Sequence, residues 1–152
     1  MKKHLGVGVI GLGWMGRLHA RSYRKLREYF PNLDVDVRLV AAADAAEQNR
    51  TDATTNLGFE RAYADYRDLL ADPDVDIVSI CSPNFLHHEM ALAAAEAGKP
   101  FWIEKPMGVN LEQSRDIAVA ATEADLVTAV GFNYRHTPAI EKARQLIRDG
   151  RL

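Results

Sequence analysis

Cysteine is nearly missing from this chain. The 152 residues hold one, Cys81, which excludes an internal disulfide and any CxxC metal or redox motif. Long apolar runs are missing too: none approaches the ~20 residues that cross a bilayer. The N-terminal MKKHLGVGVIGLG imitates a signal peptide, but its apolar run is short, broken by glycine and followed at once by Arg17, His19 and Arg21. Nor does one sign of charge dominate. Nineteen Lys and Arg stand against 21 Asp and Glu, a formal net charge of −2, with no long like-charge block. Nucleic acid and anionic membrane both call for a basic patch, so neither is an expected partner. The five histidines and scattered carboxylates show no metal-ligand spacing, and the adjacent His87 and His88 face different sides of a helix. These absences leave an ordinary globular protein, expected in the cytoplasm and with no metal site expected.

What is present is an alternation of apolar β-type runs with helical patterns. Val7 to Ile10 reads as a buried strand and Trp14 to about Tyr29 as a helix, broken by Phe30-Pro31-Asn32. RLVAAA (38–43) is a second strand, and Thr51 to Leu57 a helix with Gly58 as its C-cap. Arg61 to Tyr63 reads as a short strand, Asp65 as the cap of the turn holding Leu69 and Leu70, and DIVSIC (76–81) as a strong strand stopped by Ser82-Pro83-Asn84. A helix over 85–97, a strand over 100–103, a helix over 111–124, a strand over 126–131 and a last helix over 138–149 complete the pattern. Single helices between strands that lack polar alternation imply a mostly parallel, doubly wound α/β sheet of the Rossmann type, covered on both faces. In such sheets the ligand lies beyond the carboxyl ends of the strands, where the strand order reverses.

The residues just after the strands therefore carry the argument. After the first comes Gly11-Leu12-Gly13-Trp14-Met15-Gly16, a G-x-G-x-x-G between a strand and a helix. Gly11 permits the tight turn, Gly13 a close approach of pyrophosphate, and Gly16 close packing of helix on strand. The helix then aims its free N–H groups and positive dipole end at the phosphates. After the second strand stands Asp44, able to accept hydrogen bonds from the adenosine ribose and to repel a 2′-phosphate. It lies 28 residues beyond Gly16, and Arg50 is the nearest arginine after it, which favours NAD over NADP. The alternative for Asp44 is a helix N-cap. Ser82 and Asn84 offer small polar groups after the DIVSIC strand, and Asn84 is also suited to cap the next helix. After PFWI comes Glu104-Lys105-Pro106, where Lys105 is placed to donate to a substrate hydroxyl or the nicotinamide ribose, with Glu104 holding it. The competing role of that pair is a surface salt bridge worth ~1 kcal/mol or less.

Taken together, VGVIGLGWMGRLHA, AAAD, SICSPNFLHHEMALAAAEAGKPFWIEKPMG and VGFNYRHTPAI resemble the nucleotide-binding domain of the glucose–fructose oxidoreductase / inositol 2-dehydrogenase / MocA (Gfo/Idh/MocA) family, from residue 6 to about residue 140. The resemblance implies that Gly11, Gly13 and Gly16, with Leu12, Trp14 and Met15 between them, hold the pyrophosphate and that Asp44 binds the adenosine ribose. It implies that Ser82, Pro83, Asn84 and His87 line the cofactor groove. Glu104 and Lys105 would sit by the nicotinamide, with Lys105 as the catalytic group reaching toward the substrate. It makes Lys105–Pro106 a candidate cis peptide and aligns Arg135 with an arginine after the family's last strand. Family members are much longer. Their second domain supplies most of the substrate pocket, the oligomer interface and a proton-transfer histidine in an Asp-x-x-x-His pattern that none of the five histidines here occupies.

The expected organisation is a dinucleotide-binding domain over 1–135 and a terminal helix over 136–152 that leads toward such a second domain. The expected function is hydride transfer between NAD and a sugar, polyol or related hydroxyl, by an enzyme that forms homo-oligomers. Apolar surface around Phe132 to Ile140 and the last helix is expected to be exposed and to favour self-association. A self-standing NAD-binding module, either a sensor or a subunit, is the alternative. A SAM-dependent methyltransferase is disfavoured by the EKP segment and the full glycine motif.

Overall fold

The computed structural model describes residues 3–152. Six strands form one sheet in the order β3-β2-β1-β4-β5-β6, every neighbouring pair parallel. They are β1 (Lys3–Ile10), β2 (Val35–Ala43), β3 (Arg61–Tyr63), β4 (Ile77–Ile80), β5 (Phe101–Ile103) and β6 (Thr128–Val130). The order reverses between β1 and β4, so the chain runs out to one edge, returns to the middle and runs out to the other. Among the described residues no helix is long and apolar enough to cross a membrane.

Two apolar layers flank the sheet. On one face α1 (Trp14–Tyr29) contributes Ala20 to a cluster with Val7, Val9, Leu39, Ala42 and Leu57. On the other, α3 (Tyr66–Ala71), α4 (His87–Glu96) and α5 (Leu111–Glu123) pack on Ile10, Val78, Ile80, Phe101 and Ile103. Burying each such aliphatic side chain contributes about 1.5–3 kcal/mol. Alternate residues of β1, β4 and β5 thus feed opposite layers, which is why these strands read as unbroken apolar runs. α4 buries Met90 and three alanines, Ala91, Ala94 and Ala95. α6 (Pro138–Arg148) has no buried residue.

Several boundaries differ from the sequence reading. β1 begins at Lys3 rather than Val7 because Lys3 to Val7 pair in register with Val35 to Leu39, which also draws β2 back to Val35. The helix expected over 51–57 begins as α2 (Glu47–Asp52) and continues as a widened turn, Ala53–Leu57, closed by Gly58 at φ 87°. The helix expected from Phe85 starts as a 3₁₀ turn, Asn84–Leu86, in which the Leu86 N–H reaches the Pro83 carbonyl, and α4 proper begins at His87. β6 is shorter than expected, and its first two residues are exposed.

Candidate functional site

Backbone hydrogen bonds carry the strand ladders past their ends and bring the post-strand residues into one row. The Gly11 N–H donates to the Ala43 carbonyl (2.8 Å), Asp44 to Tyr63 (3.2 Å), Cys81 to Ile10 (2.8 Å), Glu104 to Ile80 (3.0 Å) and Gly131 to Ile103 (2.9 Å). At the centre of this row opens a groove of about 780 Å³. Its walls include Gly11, Gly13, Trp14, Met15, Asp44, Ser82 and Pro83.

The glycine loop meets three separate demands. Gly11 sits at φ 86°, and a Cβ there would lie 2.7 Å from the Ser82 nitrogen. Gly16 presses on the loop itself, since its Cβ would fall 1.9 Å from the Gly11 carbonyl oxygen. Gly13 faces open space, with nothing within 4 Å of an added Cβ. Gly11 and Gly16 therefore shape the turn, while Gly13 leaves room for something else to approach the backbone. Gly13 is also the N-cap of α1, with no side chain capping it and no acidic residue in the first turn, so the dipole end is open to an anion.

Asp44 has a role that spacing alone did not reveal. One carboxylate oxygen accepts the Leu12 N–H at 2.7 Å, and the other accepts the Ala46 N–H at 2.9 Å. The side chain thus ties the end of β2 to the glycine loop and turns the chain toward α2, whose N-cap is Ala46 rather than Asp44. A carboxylate offers about four lone-pair directions, so both oxygens keep acceptor capacity toward the groove. The Leu12 side chain is fully buried and its N–H is engaged by Asp44. Arg50 turns its guanidinium back onto the carbonyls of Asp44 (2.9 Å) and Ala45 (2.7 Å).

The other sequence-selected residues lie outside the groove wall. Asn84 is exposed in its 3₁₀ turn, and Arg135 is exposed in a second one, Asn133–His136. His87 is 1% exposed, with Nδ1 2.9 Å from the Pro106 carbonyl oxygen and Nε2 3.0 Å from that of Ser82. It braces two loops from inside. Lys105 is exposed and joined to Pro106 by a cis peptide. Glu104 is buried and points to the α1 face, where its Oε1 lies 3.1 Å from His19 Nε2. His19 Nδ1 lies 3.2 Å from Ser79 Oγ, which in turn lies 2.8 Å from the Tyr23 hydroxyl. Burial lowers the His19 pKa against the opposing pull of Glu104, and burial raises that of Tyr23. The Cys81 thiol on the groove wall is pushed up mainly by burial, then by the Glu104 charge, and stays protonated.

Sequence reasoning missed the wall supplied by the turn after β3. Ala64, Asp65, Tyr66 and Arg67 line the groove beside Asp44, with the Arg67 guanidinium 4.6 Å above the Tyr66 ring. The signal was available, because β3 is a parallel strand like the others and its carboxyl end is equally a ligand position. Asp65 does cap α3, accepting from the Arg67 N–H at 2.8 Å.

Residues 5–132 match the profile of the Gfo/Idh/MocA oxidoreductase family with its NAD-binding Rossmann fold. The chain belongs to this family. Among curated relatives, a levoglucosan dehydrogenase of Pseudarthrobacter phenanthrenivorans is 40% identical over 97% of this chain and 38% of its own length. The structure of an NAD-binding oxidoreductase from Klebsiella pneumoniae superposes with TM-score 0.89 at 44% identity, over 97% of this chain and 39% of that one. A levoglucosan dehydrogenase complexed with NADH and levoglucosan superposes with TM-score 0.91 at 37% identity, over 97% and 40%. The chain therefore spans about two fifths of the length of these Gfo/Idh/MocA relatives.

Proposed function

We propose that this chain is the cofactor-binding part of an NAD-dependent dehydrogenase that acts on a sugar, polyol or related hydroxyl substrate. The observation that carries the reading is Asp44, whose carboxylate grips the glycine loop while lining the same groove. One group thereby sets the loop that receives the pyrophosphate and stands where a ribose diol would be recognised. The same negative charge disfavours a 2′-phosphate, and Arg50 is held on backbone carbonyls, so the preference is for NAD. When bound, NAD supplies the hydride acceptor. The chain's own residues bind and orient it: the glycine loop and the α1 N-terminus take the phosphates, and Ser82 and Pro83 border the ring-ward side. Lys105 donates to a substrate hydroxyl or to the nicotinamide ribose.

The substrate wall and the proton acceptor are assigned to a second domain of a longer protein, with residues 1–135 as the dinucleotide domain and 136–152 as the helix leading out of it. Exposed Phe132, Tyr134 and Ile147, at 60%, 79% and 62%, support self-association of this face and a homo-oligomeric enzyme. The composition supports a cytoplasmic setting.

Calorimetric titration of the chain and of Asp44→Ala with NAD and NADP tests the reading. Wild type is expected to prefer NAD. The variant is expected to lose about tenfold in NAD affinity, the ~1.4 kcal/mol of a charge-assisted hydrogen bond, and most of its discrimination. An unchanged preference removes Asp44 from the site, and binding of SAM without NAD ends the dehydrogenase reading. The alternative of a binding module without catalysis gains weight from the open position of Lys105, which no groove wall covers. Turnover of NAD with a polyol panel by this chain alone would exclude that alternative and also refute the need for a second domain.

A further inference from the structure

Lys105 is exposed, yet the residues on either side of it are held from inside the protein by two different histidines. Before it, Glu104 is 6% exposed and its Oε1 lies 3.1 Å from His19 Nε2. After it, the Pro106 carbonyl lies 2.9 Å from Nδ1 of His87. The two rings come from opposite faces of the sheet, His19 from α1 and His87 from the first turn of α4.

We propose that His19 and His87 are positioning residues that clamp the backbone on both sides of Lys105 and so set its ammonium toward the nicotinamide half of the site; this rests on the dehydrogenase reading above. On the α1 side the hydrogen bonds form a directed chain. A carboxylate only accepts, so Nε2–H of His19 donates to Glu104, and Nδ1 of the neutral ring is left to accept from the Ser79 hydroxyl. Ser79 Oγ then accepts from the Tyr23 hydroxyl at 2.8 Å. The Trp102 ring lies edge-on to His19, with centroids 5.8 Å apart. Gly131 packs against the same carboxylate, since a Cβ there would fall 2.6 Å from Glu104 Oε1. Glu104 is thus confined to one position. His87 works by another logic. Both of its nitrogens face carbonyl oxygens, and a neutral ring carries one N–H, so the clamp takes the Nδ1–H tautomer that donates to Pro106, while Nε2 only packs against the Ser82 carbonyl.

α1 begins at the glycine loop, and His19 lies little more than a turn into it. The helix that receives the phosphates therefore also holds the lysine loop, which couples the two halves of the dinucleotide through Glu104.

The test compares ADP, which lacks both the nicotinamide and its ribose, with NADH on this chain by calorimetry, with thermal melts of every variant. In His19→Asn the amide takes the place of Nδ1, keeping Ser79 and losing Glu104. His19→Gln takes the place of Nε2 and keeps Glu104. For His87 the logic inverts: His87→Gln loses Pro106 and His87→Asn keeps it. The preference for NADH over ADP is expected to fall about fivefold in H19N and H87Q, the scale of one hydrogen bond, and to stay within about twofold in H19Q and H87N. ADP affinity is expected to stay constant throughout. Lys105→Ala should show the same fall, and adding H19N to it should cause no further loss, because both changes remove one interaction.

The proposal is overturned if the Asn and Gln variants at one site behave alike, or if H19N and K105A add. It is also overturned if ADP binding falls in parallel, if a variant loses its cooperative melt, or if wild type binds the two ligands equally. Binding of neither ligand by wild type overturns the dinucleotide reading as well.

Discussion

On the β3 side of the sheet the edge strand is tied down by charge and by its neighbours. Arg61 forms a two-pronged pair with the buried Asp72 at 2.6 and 2.7 Å, reaches Asp74 at 2.6 Å, and Tyr63 adds its hydroxyl to Asp72 at 3.1 Å. Asp44, Tyr66 and Arg67 then continue the groove wall from that edge. On the β6 side, Thr128 and Ala129 are exposed, Val127 is 83% exposed, and α6 buries nothing. The difference follows the two halves of the proposed ligand. The side proposed for the adenosine has a continuous groove wall, whereas Lys105, proposed for the nicotinamide side, is exposed.

The largest expected effect comes from disturbing the walled side at its centre. Gly16→Ala puts a methyl group 1.9 Å from a backbone oxygen that cannot move away, so stability should fall by about 3 kcal/mol or more, read as a shift of the urea midpoint. Gly13→Ala is the control on the same loop. It meets nothing within 4 Å, so the midpoint should stay put while dinucleotide affinity falls. If both variants lose stability equally, the division of labour between the glycines is wrong.

Next in size is the charged edge. The Arg61 guanidinium holds the Asp72 carboxyl down at about 2. Because this lies below the value in the unfolded chain, the contribution is complete above about pH 4 and is lost as the pH falls through 2. It amounts to about 2 kcal/mol. Asp72→Asn should lower the midpoint by a similar amount at pH 7 and flatten its pH dependence between 2 and 4, as followed by denaturation at stepped pH. An acid transition that survives unchanged in the variant would assign it to other carboxylates.

The smallest effect on stability belongs to the open side. Tyr134→Lys with Ile147→Lys should change the midpoint by less than about 0.5 kcal/mol, because neither side chain is buried. The same pair should reduce self-association measured by sedimentation. A large loss of stability instead would mean that this face is packed in the monomer.

Much of this molecule was legible residue by residue. Val7 to Ile10, GLGWMG, DIVSIC and the breaker SPN announced a parallel sheet with a dinucleotide loop, because burial on both faces demands unbroken apolar runs and a tight strand-to-helix turn demands glycine. Part of the groove wall, Gly11, Gly13 to Met15, Asp44, Ser82 and Pro83, followed from counting what comes after each strand, and the turn after β3, a three-residue strand, was passed over because it gave a weak signal. Element ends were less legible. Lys3 to Gly6 became strand through pairing with β2, a partner about thirty residues away that no local pattern reveals.

Side-chain direction was beyond the sequence altogether. Glu104 and Lys105 are neighbours in the chain, yet one is buried against His19 and the other faces solvent. His87, expected along the groove, is buried outside its wall as a brace between two loops. The sequence by itself determined the fold class, the strand order's ligand edge and the chemistry available there, because periodicity and turn chemistry are local properties. Which polar groups meet, and which are left facing the groove, was decided only when residues separated by up to 85 positions were brought within 3.1 Å by the packing of helices on both faces of the sheet.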